Sequence, residues 1–286
     1  MAEAYCPASC GELLQGWILG GEKLVSCPIN WYSFVSVEEG APLKLERPRM
    51  RQMLERVLEH LDIAPDATRI LRIEYQSTIP VGKGLASSTA DIAAVAQATA
   101  RFYGHELSPD TLSKLCVTVE PTDSTLFPSL TLFDHQTAQT QIALDWSPEL
   151  QLLILESPDV ILTEDFHKRD RRGALLARES VLAEAWRLLN AACEQRDPGL
   201  LGEAATLSTL ASQDLLPKPG FRELSALVEK GAIYGLNVAH SGSVVGLIYD
   251  ERLHDKAFIY HWLQKYRLGQ FYPQVHEVCM TRGGVR

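Results

Sequence analysis

Residues 80–90 read Pro80-Val81-Gly82-Lys83-Gly84-Leu85-Ala86-Ser87-Ser88-Thr89-Ala90. A segment with apolar alternation at Ile70, Leu71, Ile73 and Tyr75 leads toward this loop, and an alanine-rich helix is predicted to leave it. Glycine tolerates the left-handed backbone of a tight loop, so Gly82 and Gly84 let main-chain N–H groups turn toward one point. Ser87 and Ser88 then fall at a helix N-terminus, where the first N–H groups lack partners and the dipole favours negative charge. The small Ala86 and Ala90 leave room for a bulky anion. The stretch therefore predicts a phosphate cradle of backbone and hydroxyl groups over residues 80–89. It is not a Walker A loop, because Lys83 is followed by Gly84 rather than by Ser or Thr. The plainer alternative is a glycine turn whose serines cap the helix.

Composition narrows the classes. The chain has 286 residues, 46% of them hydrophobic and 22% charged, which suits one large domain or two smaller ones sharing a core. A formal net charge of −9 argues against a nucleic-acid partner. The one basic run, His167-Lys168-Arg169-Asp170-Arg171-Arg172, is short and reads as a solvated loop or one that meets an anion. Six scattered cysteines include no Cys-x-x-Cys pair, which argues against zinc and for a reducing compartment. The start carries no signal-peptide pattern, and no apolar run reaches the roughly 18 residues of a membrane span. The expectation is a cytoplasmic protein without a membrane partner.

Along the chain, extended structure is predicted over 23–37 with a break or edge at Pro28, and helices over 50–62 and 87–103. Ser108 and Pro109 form the N-cap and first position of a helix running to about Val119. Strands are expected at 129–134, 139–145, 151–156, 243–249 and 275–280. Helices are expected at 175–193, 200–210, 221–234 (stopped by Gly235) and 252–266. A boundary near Ser147-Pro148 divides residues 1–147 from 148–286. This order predicts an α+β protein with helices layered on an antiparallel sheet.

Three further segments carry chemistry. Pro7-Ala8-Ser9-Cys10-Gly11-Glu12-Leu13-Leu14-Gln15-Gly16 is a glycine-containing stretch in which Glu12 is the polar residue for a pocket. Val238-Ala239-His240-Ser241-Gly242-Ser243-Val244-Val245-Gly246 is a second tight turn. Glu120-Pro121-Thr122-Asp123 sets two carboxylates three residues apart at a helix end, so both can face one cleft. Magnesium favours oxygen ligands and usually takes one or two carboxylates plus substrate phosphates, and a hydroxyl such as Ser88 completes such a shell.

Together the four segments, in this order, resemble the GHMP kinases. The loop at 80–90 is similar to that superfamily's Pro-x-x-x-Gly-Leu-(Gly/Ala)-Ser-Ser-(Ala/Thr) motif. The likeness is closest to the L-threonine kinase branch, which carries Cys-Pro-Ala-Ser-Cys-Gly-Glu-Leu (Cys6 to Leu13), Glu-Pro-Thr-Asp and Ala-His-Ser-Gly segments. The resemblance implies a two-lobed fold, with a ribosomal-S5-like N-terminal lobe and a ferredoxin-like C-terminal lobe. It implies ATP held by Pro80 to Thr89, Mg2+ held by Ser88 and Glu120, and Asp123 as the catalytic carboxylate that orients or deprotonates the acceptor hydroxyl. It places Glu12, Ser241, Gly242 and Ser243 at the acceptor. The implied reaction is phosphorylation of the L-threonine side-chain hydroxyl, with the product entering the aminopropanol arm of cobalamin. A homodimer stays open. At its ordinary pKa of about 3.9 Asp123 is a weak base at pH 7, so orientation of the acceptor is expected to outweigh proton removal. The rivals are a homoserine or polyol kinase of the same fold, a silent binding protein of that fold, and a cysteine nucleophile at Cys6 or Cys10.

Overall fold

Two long antiparallel strands, β1 (Ala2–Ile18) and β2 (Gly21–Glu39), form the spine of the molecule. The computed structural model describes residues 1–159, 172–239 and 241–286. His240 and the basic run from His167 to Arg171 lie outside the described residues. After the hairpin come α1 (Pro48–His60), β3 (Leu71–Ser77), α2 (Ser87–Phe102), α3 (Pro109–Val117), β4 (Thr131–Phe133) and β5 (Gln141–Ala143). The second half carries β6 (Gln151–Glu156), α4 (Arg172–Leu176), α5 (Glu179–Gln195), α6 (Pro198–Ser212) and α7 (Phe221–Glu229), then β7 (Gly235–Val238), β8 (Val245–Tyr249), α8 (Lys256–Lys265) and β9 (Gln274–Cys279).

Among the described residues these strands make one sheet of order β5-β4-β2-β1-β7-β8-β6-β9, with β3 paired to β2. The two halves of the chain meet at the β1–β7 seam, where Glu12 stands opposite Val238. The β1–β2 register shifts between Ser9 and Glu12 and again between Glu12 and Leu14. Such bulges re-aim a side chain out of the regular alternation, and these two bracket Glu12. Gly11, at φ +54°, makes the seam possible, because a Cβ there would lie 2.5 Å from the Ala239 nitrogen.

Two cores flank the sheet. α2 lays Ala90, Ala93, Ala94, Ala96, Ala98 and Ala100, all fully buried, against β1 and β2. Small side chains let the helix approach the sheet closely, which brings its N-terminus to the sheet's surface. In β6, Leu152 and Ile154 enter this main core, while Leu153 and Leu155 enter a second core with Leu224 and Leu227 of α7 and Ile259 and Trp262 of α8. Burial on both faces explains why Gln151–Glu156 reads as a continuous apolar run.

Several elements differ from expectation for identifiable reasons. Pro28 does not end its strand; it pairs with Ser9 beside a register shift, and its carbonyl accepts the Thr281 N–H. The helix expected at 175–193 is divided into α4 and α5 around Arg178, whose φ of −107° is not helical. The helix from Phe221 ends at Glu229 because Gly231 turns left-handed at φ +63°, which frees Gly235 to begin β7.

The loop at 82–86 and the turn at 239–244 press against each other. The Lys83 carbonyl accepts N–H bonds from Ser243 (3.0 Å) and Val244 (3.3 Å), and the Gly84 carbonyl accepts one from Gly11 (3.2 Å). A Cβ at Gly84, whose φ is +83°, would overlap the Ala239 methyl, and one at Gly242 would overlap the Lys83 carbonyl. Gly242→Ala is expected to destabilise the protein by about 1–3 kcal/mol from overpacking, and Gly84→Ala by about 2–5 kcal/mol from overpacking and left-handed strain. Urea unfolding checks this; midpoints at the wild-type value in both variants would contradict the junction.

Candidate active site

The N-terminus of α2 opens into a cleft of about 250 Å³ lined by Gly82, Gly84, Leu85, Ala86, Ser87, Ser88 and Thr89, by Glu12, Gln15 and Leu24, by Glu120 to Asp123, and by Arg49, Val81, His135 and Ser241. The residue before α2 is Ala86, in the left-handed region at φ 57°, ψ 28°, and no side chain caps the helix. Neither serine is spent on capping, so the first-turn N–H groups and both hydroxyls belong to a cleft wall suited to an anion.

The acid turn is fixed from three sides. The Thr89 hydroxyl donates to Asp123 Oδ2 and accepts from the Asp123 N–H, both at 3.1 Å. Ser26 and Ser124 exchange reciprocal backbone-to-hydroxyl bonds at 2.8 and 2.9 Å. The Thr122 N–H donates to the His135 carbonyl at 2.9 Å. Asp123 is thus locked to the first turn of α2. Burial, the Glu12 carboxylate and, to a smaller extent, Glu120 push the Asp123 carboxyl up to about 7, against the opposing Thr89 hydrogen bond. Proton acceptance at neutral pH is therefore open to Asp123, which its ordinary pKa would not allow.

Arg49 joins the other two candidate groups. Its Nη1 lies 2.5 Å from Glu120 Oε2 and 3.4 Å from Ser88 Oγ. One cation thus reaches both oxygens expected to hold Mg2+. Among the described residues no cluster of three or more His, Cys, Asp or Glu could hold a metal alone. A hydroxyl and a carboxylate that share one cation fit a hard ion that draws its remaining ligands from phosphate oxygens and water.

The other expected residues fall in two groups. Glu12, Ser241 and most of the loop line the cleft; Pro80, Lys83, Gly242 and Ser243 do not. Lys83 turns its ammonium away, to the carbonyls of Ser157 (2.7 Å), Pro158 and Asp159 (both 3.0 Å), with Glu156 at 3.7 Å. Ser243 Oγ donates to the Asp159 carbonyl at 2.8 Å. These two side chains tie the loop and the turn to the end of β6. Lys218 does the same from the other side, donating to the carbonyls of Ala239 (2.8 Å) and Gly242 (2.5 Å). Burial brings its pKa down to about 8, partly offset by Glu12.

Arg49, Gln15, Leu24 and His135 were not singled out by sequence. Arg49 stands at the second position of α1, next to Pro48, and only folding brings it to the cleft. Cys6 and Cys10 are fully buried and their thiols are pushed up, Cys10 to about 12, so neither is a nucleophile at neutral pH.

Comparison with known proteins decides the family. The GHMP kinases N terminal domain matches residues 49–127, which hold the glycine loop before α2 and the acid turn. An L-threonine kinase of Citrobacter freundii is 54% identical over 285 residues, covering 100% of this chain and 99% of that protein. The chain belongs to the GHMP kinases. An L-threonine kinase of Salmonella typhimurium is likewise 54% identical, over 100% of this chain and 95% of its own. A homoserine kinase structure from Cytophaga hutchinsonii superposes at a TM-score of 0.69 over 100% of this chain and 96% of its own, with 15% identity, and shows the shared fold. Among the described residues no helix is long and apolar enough to cross a membrane.

The raised Asp123 pKa has a stability consequence of definite sign. The folded state holds this proton more tightly than the unfolded chain, so stability falls as pH rises from the unfolded pKa near 4 through the folded value of about 7. Asp123→Asn removes the titration. It is expected to raise Tm, by more at pH 8 than at pH 5. Scanning calorimetry at the two pH values checks this, and an equal or lowered Tm at pH 8 would contradict the buried, raised carboxyl.

Proposed function

We propose that this protein is an ATP-dependent L-threonine kinase that converts L-threonine to O-phospho-L-threonine, a product suited to the aminopropanol arm of cobalamin. The observation that carries this is the 54% identity to L-threonine kinases along the entire chain. We assign the phosphates of ATP to the loop from Gly82 to Thr89 and the acceptor to the Glu12 side of the cleft. Ser88 and Glu120 would hold Mg2+, and Arg49 would then be released toward the transferred group. The metal, when bound, neutralises charge on the phosphate oxygens.

In this reading Asp123 accepts the proton of the threonine hydroxyl as that oxygen attacks the γ-phosphorus. The bond from phosphorus to the β–γ bridging oxygen breaks, and ADP leaves with the electron pair. A base with pKa near the working pH combines a large ionised fraction with a useful driving force for proton transfer. Thr89 fixes the carboxylate's direction, so the oxygen that receives the proton is set before the acceptor arrives. The N–H groups at the start of α2 bear on the charge of the transferred group, and positioning supplies much of the acceleration. We assign the protein to the cytoplasm, consistent with its free cysteines, five of them buried.

Asp123→Asn is expected to lower kcat by about 10²–10⁴ while ATP still binds by calorimetry. Retained turnover would remove Asp123 from the chemistry. Ser88→Ala and Glu120→Gln are each expected to raise the Mg2+ concentration for half-maximal rate, and unchanged magnesium titrations in both would remove the metal assignment. L-threonine should exceed L-serine in kcat/KM by about 10- to 200-fold, the worth of one methyl group. A higher kcat/KM for homoserine than for threonine would instead indicate a homoserine kinase.

A further inference from the structure

Gln15 is a buried polar side chain that the chemistry above does not use. It is 6% exposed and lines the cleft, together with Glu12, Leu24 and Asp123. Its Oε1 is sealed from solvent and meets no hydrogen-bond donor among the described residues. The backbone beneath it is fixed: the Gln15 N–H donates to Ser208 Oγ of α6 at 3.0 Å, and Gln15 stands opposite Leu24 in the β1–β2 register. Leu24 in turn stands opposite Phe133. A sheet position held on both sides keeps the carboxamide at the cleft wall.

A buried carbonyl oxygen with no donor costs about 1–3 kcal/mol, and native structures seldom keep one without a reason. Gln15 lines the cleft, and a turn of its carboxamide about the soft terminal torsion brings Oε1 to a molecule entering there, which can supply the missing donor. The charge of the wall says which kind: Glu12 and Asp123 line it with two carboxyl groups, while the charge of Glu120 is met by Arg49. Such a wall favours a cationic donor. An α-ammonium group offers N–H donors and no acceptor, and toward it a carboxamide must present its oxygen.

We propose that Gln15 is a specificity-determining residue whose side-chain carbonyl accepts a hydrogen bond from the substrate's α-ammonium group, so that the cleft selects amino acids over hydroxy acids of the same shape. This rests on the threonine kinase reading. Leu24, directly across the ladder, supplies the apolar surface beside that contact. A site built to bond a substrate N–H discriminates strongly against an analogue lacking it, because the site's own polar group is then left unpaired.

The test compares L-threonine with (R)-3-hydroxybutyrate, which keeps the hydroxyl, the methyl and the carboxylate and lacks only the amino group. Steady-state kcat/KM for both, with ATP and magnesium, is measured on the wild type and on Gln15→Met, Gln15→Asn and Gln15→Glu. Wild type should prefer threonine by about a hundredfold or more. Gln15→Met keeps the length and loses the acceptor, and should cut that ratio at least tenfold, mainly through KM for threonine. Gln15→Asn withdraws the acceptor by one methylene and should shift the ratio the same way. Gln15→Glu restores an acceptor of the same reach and should keep the preference. Where Gln15→Met does not fold, the ratios of Gln15→Asn and Gln15→Glu decide alone. A wild-type ratio in Gln15→Met or, if that variant is unfolded, in Gln15→Asn overturns the proposal. So does a Gln15→Glu variant that has lost the preference, which would assign Gln15 to packing. A wild type that does not phosphorylate threonine at all fails one step earlier and overturns the kinase reading together with the role of Gln15.

Discussion

Everything at the site depends on the close approach of two backbone segments, the loop at 82–86 and the turn at 239–244. The Lys83 carbonyl takes two N–H bonds from the turn, and Gly84 and Gly242 are in contact with no room for a side chain on either. Two buried ammonium groups reinforce the junction: Lys83 reaches carbonyls at the end of β6, and Lys218 reaches carbonyls of the turn. Each donates to several backbone oxygens, and burial penalises a cation unless such partners are present. The loop's geometry, and with it the direction of its N–H groups, is thereby set by tertiary contacts.

That junction explains how a sheet built from both halves of the chain can serve one reaction. The β1 bulges around Glu12, the Gly11 contact with β7 and the start of α2 meet within one seam. Thr89 then ties Asp123 to the same helix turn, so the start of α2 and the acid turn are held together. The cost falls on Asp123, whose carboxylate is buried beside Glu12. A less stable ionised state is the counterpart of a carboxyl group raised to near neutrality.

Much of this was legible in the sequence because local physics dominates there. The glycine loop leading into α2, the Ser108–Pro109 helix start and the β6 run are each dictated by backbone preference or by local burial pattern, and all three elements stand where they were expected. The unbroken strand Ala2–Ile18 was not legible: burial of nearly every residue after Tyr5 leaves no alternation to read, and small residues such as Ala8, Ser9 and Gly11 carry weak strand signals. Lys83 looked like a phosphate ligand by its neighbours, yet its direction is set by Ser157 to Asp159, more than seventy positions away. Arg49, Gln15 and the raised pKa of Asp123 likewise arise from contacts between distant segments, and no local pattern encodes them.

The central claim is that this cleft transfers the γ-phosphoryl group of ATP to the hydroxyl of L-threonine. Its most direct test is mass spectrometry of a reaction containing the purified protein, ATP, magnesium and a mixture of L-threonine, L-serine, L-homoserine and D-threonine, with the phosphorylated products separated by chromatography. Dominant O-phospho-L-threonine, formed together with ADP, is the predicted result. Phosphohomoserine as the main product, or no phosphorylated amino acid at all, would contradict it.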